Sequence, residues 1–128
     1  MRKTTPVREC MSRLPREAEQ QDRLASVVEI MRAEHCHHVP VMNGAELFGI
    51  LSREDLHEVL LAHGDAAERF TAGEVCTGDV LTVDPTTPVV EAAGRMLERG
   101  VSSALVTDGD ILVGIFTSTD ALKLVAGA

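Results

Sequence analysis

Apolar and polar positions along the chain run through the same series of spacings twice. Leu24, Val27, Val28 and Met31 recur at helical spacing, with Asp22 placed as an N-cap. An extended run His38-Val-Pro-Val-Met follows, then Asn43-Gly44, then Leu47 to Leu51. Asn-Gly between apolar runs predicts a hairpin, because both turn residues tolerate positive φ. Arg53 to about Ala62 closes the series as a helix, and Gly64 stops it. The stretch from there to Thr71 reads as a connector. The series then restarts. Val89, Val90, Ala93, Met96 and Leu97 form a helical stripe, begun by Thr87 with Pro88 at the first helical position. Ala104 to Thr107, Asp108-Gly109 and Ile111 to Phe116 predict a second hairpin, and Ser118 to about Ala126 a last helix.

A shift of 65 residues superimposes the two series without a gap. It brings Met31 onto Met96, Val41 onto Val106, Gly44 onto Gly109 and Leu47 onto Leu112. Gly49 falls on Gly114, Ile50 on Ile115 and Asp55 on Asp120, with Ser52 over Thr117. Seven identities in thirty positions exceed the roughly two that average composition gives. The chain is a duplication. The copies differ at their starts: Val80-Leu81-Thr82-Val83 predicts a short strand ended by Asp84-Pro85, whereas Pro15-Arg-Glu-Ala-Glu-Gln has almost no apolar character.

Composition narrows the function classes. An apolar share of 45% supports a core over 128 residues, while the formal net charge of -8 argues against nucleic-acid or anionic-membrane surfaces. Trp and Tyr are absent and only Phe48, Phe70 and Phe116 could stack on a base, so no nucleic-acid partner is expected. No segment reaches bilayer-spanning length and the opening Met-Arg-Lys-Thr-Thr-Pro has no signal-like apolar stretch, so the expectation is a cytoplasmic protein, not a membrane one. Cys10, Cys36 and Cys76 form no framework and read as reduced thiols.

Order and spacing of short motifs resemble one known family. Glu74-Val-Cys-Thr, Leu-Thr-Val-Asp-Pro, Ala104-Leu-Val-Thr-Asp-Gly and Gly114-Ile-Phe-Thr-Ser-Thr-Asp120 resemble one CBS domain. Glu9-Cys-Met-Ser, His38-Val-Pro-Val and Gly49-Ile-Leu-Ser-Arg-Glu-Asp55 resemble another, so that the likeness covers about residues 7 to 127. The resemblance implies an α/β (α+β) fold of two tandem βαββα halves, residues 7–63 and 72–127, packed about a pseudo-twofold axis. It further implies clefts for AMP, ADP, ATP or S-adenosylmethionine, association into a homodimer, and regulation of another, unidentified protein. No catalytic residue and no required cofactor are implied.

By the same resemblance, Gly114, Thr117 and Asp120 would hold a ribose in the second half, and Gly49, Ser52 and Asp55 in the first. A carboxylate accepts from both ribose hydroxyls, and a helix start suits phosphate. Ser/Thr followed three residues on by an acid is also a helix-capping pattern, and both roles can coexist. Val83, Leu105 and Ile115 would line one adenine slot, and Val39, Pro40 and Ile50 the other. His38 and Ser103 occupy positions where some relatives carry a phosphate-binding base. With Glu17 and Glu19 nearby, the first slot is expected to suit phosphate less well. Sparse positive charge favours AMP or an adenosyl compound over ATP.

His35-Cys36-His37-His38 carries zinc-compatible side chains. Neighbouring residues diverge in direction, however, and Cys36 overlies the apolar Val101, so no metal site is expected. Nothing presents a base or oxyanion hole to a cysteine nucleophile. The competing class is a degenerate CBS pair serving as a ligand-free dimerisation scaffold.

Overall fold

The computed structural model of the chain describes residues 4–14 and 16–127. These divide into two compact units, residues 16–79 and residues 80–127 together with 4–14.

The first unit runs β1 (Ala18–Glu19), α1 (Leu24–Glu34), β2 (His38–Asn43), β3 (Glu46–Ser52), α2 (Arg53–His63), a 3₁₀ stretch Gly64–Arg69 and the one-turn α3 (Ala72–Val75). Its sheet order is β1-β2-β3, with β1 parallel to β2 and β2 antiparallel to β3. The two turn residues are Gly44, at φ 63°, and Ala45; Asn43 pairs with Glu46 as the last residue of β2, so the turn lies one position on from the expected Asn43-Gly44. Val27, Ile30 and Met31 of α1 and Leu56 of α2 pack on Ala18, Val39, Val41 and Leu51 of the sheet. β1 corrects the expectation of no strand character at the start of this half. One buried methyl, Ala18, and backbone pairing to Val41 and Met42 suffice for a two-residue strand, which apolar periodicity does not register. Pro15, which opens that stretch, lies outside the described residues. Arg23, not Asp22, is the N-cap of α1; the Asp22 carboxylate instead accepts from the Glu19 N–H at 2.9 Å and closes the β1–α1 turn.

The second unit repeats the pattern with β4 (Thr82–Val83), α4 (Val89–Arg99), β5 (Ser103–Asp108), β6 (Ile111–Thr117) and α5 (Ser118–Gly127), in sheet order β4-β5-β6. Phe116, Val106, Ala104, Val83 and Leu81 face Val89, Ala92 and Met96 of α4 in its core. Pro88 is the N-cap of α4, while Thr87 Oγ1 accepts from the Asp84 N–H at 3.1 Å.

Each unit is completed by a short strap from outside its βαββα run. In the second unit, Ser12 exchanges backbone hydrogen bonds with Ile115 (2.8 and 3.2 Å). In the first, Thr77 does the same with Ile50 (2.9 Å both ways). The straps cross at Gly114 and Gly49: a Cβ at Gly114 would meet Met11 Sδ, and one at Gly49 would lie 2.5 Å from the Thr77 carbonyl oxygen. These two glycines serve close backbone approach.

Candidate functional site

The hairpins sort the candidate residues by face. Side chains alternate along a strand, so directly paired residues share a face. In the second unit Ser103 is opposite Thr117 and Leu105 opposite Ile115. Leu105 and Ile115 are buried, yet they lie outside the core cluster that Ala104, Val106 and Phe116 form with α4. The sheet therefore presents Ser103, Leu105, Ile115 and Thr117 together on the face away from that core. In the first unit the register pairs His38 with Ser52 and Pro40 with Ile50, again away from the core formed by Val39, Val41 and Leu51. Val83 and Val39 belong to the helix-side cores and stand on the opposite face from their expected slot companions. Ser103 is buried and His38 half-buried.

At the end of each hairpin the last strand residue caps the following helix. Ser52 Oγ accepts from the Asp55 N–H (3.1 Å), and Asp55 Oδ2 accepts from the Ser52 N–H (2.8 Å). Thr117 and Asp120 repeat this: Thr117 Oγ1 accepts from the Asp120 N–H (3.2 Å), and Asp120 Oδ2 accepts from the Thr117 N–H (3.0 Å). Both are capping boxes with an aspartate in the reciprocal position.

The two carboxylates differ in what their second oxygen does. Asp120 is 6% exposed, and its Oδ1 accepts a 2.7 Å hydrogen bond from Ser12 Oγ of the strap. Asp55 is half-buried, and among the described residues its Oδ1 receives no hydrogen bond. Thr77, the strap residue 65 positions after Ser12, is exposed and makes no bond to it. Ser12 was not among the residues expected at the site. Its signal lay in the repeat frame, where Cys10-Met-Ser12 and Val75-Cys-Thr77 both end in a hydroxyl.

The histidine–cysteine run does not converge. His35 and His37 are exposed, Cys36 packs against the first core, and His38 begins β2. No group of three His, Cys, Asp or Glu side chains among the described residues could hold a metal ion. Burial, the largest cause at each, pushes all three thiols above the ordinary range, with Glu9 and Asp120 adding to it at Cys10, Glu34 at Cys36 and Asp55 at Cys76. A protonated thiol is a poor nucleophile. No helix among the described residues is long and apolar enough to cross a membrane.

Comparison with known proteins matches this geometry. The CBS domain profile matches residues 3–62 and 72–127. The homoserine O-acetyltransferase of Methanococcoides burtonii is 31% identical over 102 residues, covering 78% of this chain and 20% of that protein. The L-aspartate semialdehyde sulfurtransferase of Methanocaldococcus jannaschii is 27% identical over 125 residues, covering 96% of this chain and 24% of that protein. The chain thus spans a quarter or less of the curated relatives it matches. Among solved structures, the CBS domain pair of protein MJ0100 in complex with 5′-methylthioadenosine and S-adenosyl-L-methionine has a TM-score of 0.86 at 27% identity. That match covers 97% of this chain and 98% of the other.

Proposed function

The chain belongs to the CBS domain family as a tandem pair, and from that premise we propose a non-catalytic regulatory module that senses an adenosine-containing ligand. One observation carries the reading. Each unit sets an apolar pair (Leu105–Ile115, Pro40–Ile50) on the same sheet face as a hydroxyl, Thr117 or Ser52, that adjoins a helix-start carboxylate. Apolar surface suits an adenine ring, and a carboxylate suits paired ribose hydroxyls. The MJ0100 complexes support this ligand class. Cations are scarce beside the caps: Arg53 follows Ser52, but Ser118 follows Thr117. An adenosyl compound or AMP therefore fits better than ATP, whose triphosphate would lack compensating charge.

The ligand changes the regulated protein only if two conformations of the module bind it unequally. In this reading the module acts as a homodimer, and exposed apolar side chains on its helices (Leu61 on α2, Leu97 on α4, Leu122 and Val125 on α5) supply surface for association.

A second reading, a ligand-free dimerisation scaffold, is favoured by the Asp120 carboxylate, whose two oxygens are already engaged by Thr117 and Ser12. A thermal-shift panel with AMP, ADP, ATP, S-adenosylmethionine and NAD separates the two, run on the native chain, Asp55→Ala and Asp120→Ala. A ligand at 100 times its Kd adds about 2.7 kcal/mol. A shift with one ligand, lost in an aspartate variant, supports the sensor. Unshifted protein, verified free of bound nucleotide, supports the scaffold.

A further inference from the structure

The capping carboxylates of the two units leave a ligand unequal numbers of acceptor positions. An ionised carboxylate has about four lone-pair sites, two on each oxygen. Asp120 Oδ2 accepts from the Thr117 N–H (3.0 Å) and from the Thr117 hydroxyl (3.1 Å), and its Oδ1 accepts from the Ser12 hydroxyl (2.7 Å). Asp55 Oδ2 accepts from the Ser52 N–H (2.8 Å), and among the described residues that is its only donor. A ribose diol donates two hydrogen bonds. Asp55 can accept both as it stands, whereas Asp120 is one position short, and Ser12 holds that position.

The backbone keeps Ser12 there. Its N–H donates to the Ile115 carbonyl (2.8 Å) and its carbonyl accepts from the Ile115 N–H (3.2 Å). The hydroxyl is thereby tethered next to the strand whose Ile115 side chain pairs with Leu105 on the candidate ligand face. A tethered donor competes for Oδ1 at a higher local concentration than a free ligand reaches. The first unit shows that the strap does not need this contact. Thr77 makes the same two backbone bonds with Ile50 (2.9 Å each), yet it is exposed and makes no bond to Asp55. The Ser12 hydroxyl on Asp120 is an addition to the strap and not a requirement of it.

We propose that Ser12 is an autoinhibitory latch on the second unit's ligand site. Its hydroxyl occupies an acceptor position that a ribose diol needs, so a ligand fills the Asp55 site first and reaches Asp120 only by displacing Ser12. The latch rests on the adenosine reading and adds to it an order of filling and the residue that sets it.

Isothermal titration of the whole chain with AMP and with S-adenosylmethionine tests it. The native chain should bind at least one of them, and Asp55→Ala should weaken that binding about ten-fold or more, because only the latched carboxylate remains. Adding Ser12→Ala to Asp55→Ala should recover about ten-fold, the worth of one hydrogen bond to a charged group. Adding Thr77→Ala instead should recover nothing, and in an Asp120→Ala chain Ser12→Ala should leave affinity unchanged. Where Ser12→Ala fails to fold, Ser12→Cys keeps the side-chain shape with a weak donor and should act in the same direction. Three results in folded variants overturn the latch and leave the adenosine reading standing: no recovery on removing the serine hydroxyl, recovery that persists without Asp120, or a greater loss from Asp120→Ala than from Asp55→Ala. Binding by none of the chains, the unlatched ones included, overturns the adenosine reading and the latch with it.

Discussion

Asp55 and Asp120 stand at the same place in two copies of one motif, each reciprocally capping the helix it begins. The first is half-buried with one oxygen available; the second is buried, with its free oxygen bound to Ser12. The capping geometry is common to both and so belongs to the fold. What differs is the strap: Ser12 reaches the carboxylate, whereas Thr77 in the equivalent position does not. A duplicated motif thus holds its structural role constant while one hydrogen-bond donor sets how accessible the acceptor is.

Perturbing both halves at matched positions sharpens the comparison. Phe116 and Leu51 are equivalent, fully buried strand residues. Phe116→Ala should cost about 3–5 kcal/mol and Leu51→Ala about 2–5 kcal/mol, read from urea unfolding. Equal, near-zero costs would mean the two cores are not the structural centres described. Next come the strap crossings. Gly49→Ala drives a Cβ against the Thr77 backbone and should cost about 1–3 kcal/mol. Gly114→Ala meets only the flexible Met11 side chain and should cost less. The reverse ranking would contradict the crossing geometry.

Ser12→Ala should lower stability by about 1–2 kcal/mol, since it leaves a buried carboxylate oxygen without its donor. If the sensor reading holds, the same substitution should raise adenosyl-ligand affinity, because Asp120 is released; Thr77→Ala should do neither. A smaller gain is expected from His35→Gly, about 1 kcal/mol of added stability from relief of the left-handed backbone.

The smallest effect is alkaline. Cys10, Cys36 and Cys76 all hold their protons more tightly in the folded chain, mainly through burial. Their contribution to stability is fully present below the unfolded thiol value and is lost as pH rises through the raised folded values. The urea midpoint should therefore fall between neutral pH and pH about 10, and replacing Cys36 and Cys76 with Ala should flatten that fall.

Helices and hairpins were legible because their apolar periodicity is long and their turns carry Asn-Gly or Asp-Gly. β1 was not, since a two-residue strand with one buried alanine has no period. The reciprocal caps of the candidate site, Thr117 with Asp120 and Ser52 with Asp55, were legible through motif order. Which face Val39 and Val83 occupy was not, because strand register decides it and a one-residue offset reverses every side chain. Ser12 was legible as a hydroxyl repeated at Thr77 but not as the partner of Asp120, because a contact across 108 residues leaves no local pattern.

The straps carry a consequence for how such a chain can be divided or can have arisen. Sequence repeats run from strap to last helix, but the compact units do not: residues 71–77 complete the unit that precedes them, and residues 4–14 complete the unit made by 80–127. A fragment cut at the repeat boundary, such as 7–63, would keep a strap that belongs to the other unit and lose its own. A single-repeat ancestor would have faced the same mismatch and could have resolved it by exchanging straps between two copies. The present chain carries both exchanged straps in one polypeptide, so the exchange does not depend on chain concentration.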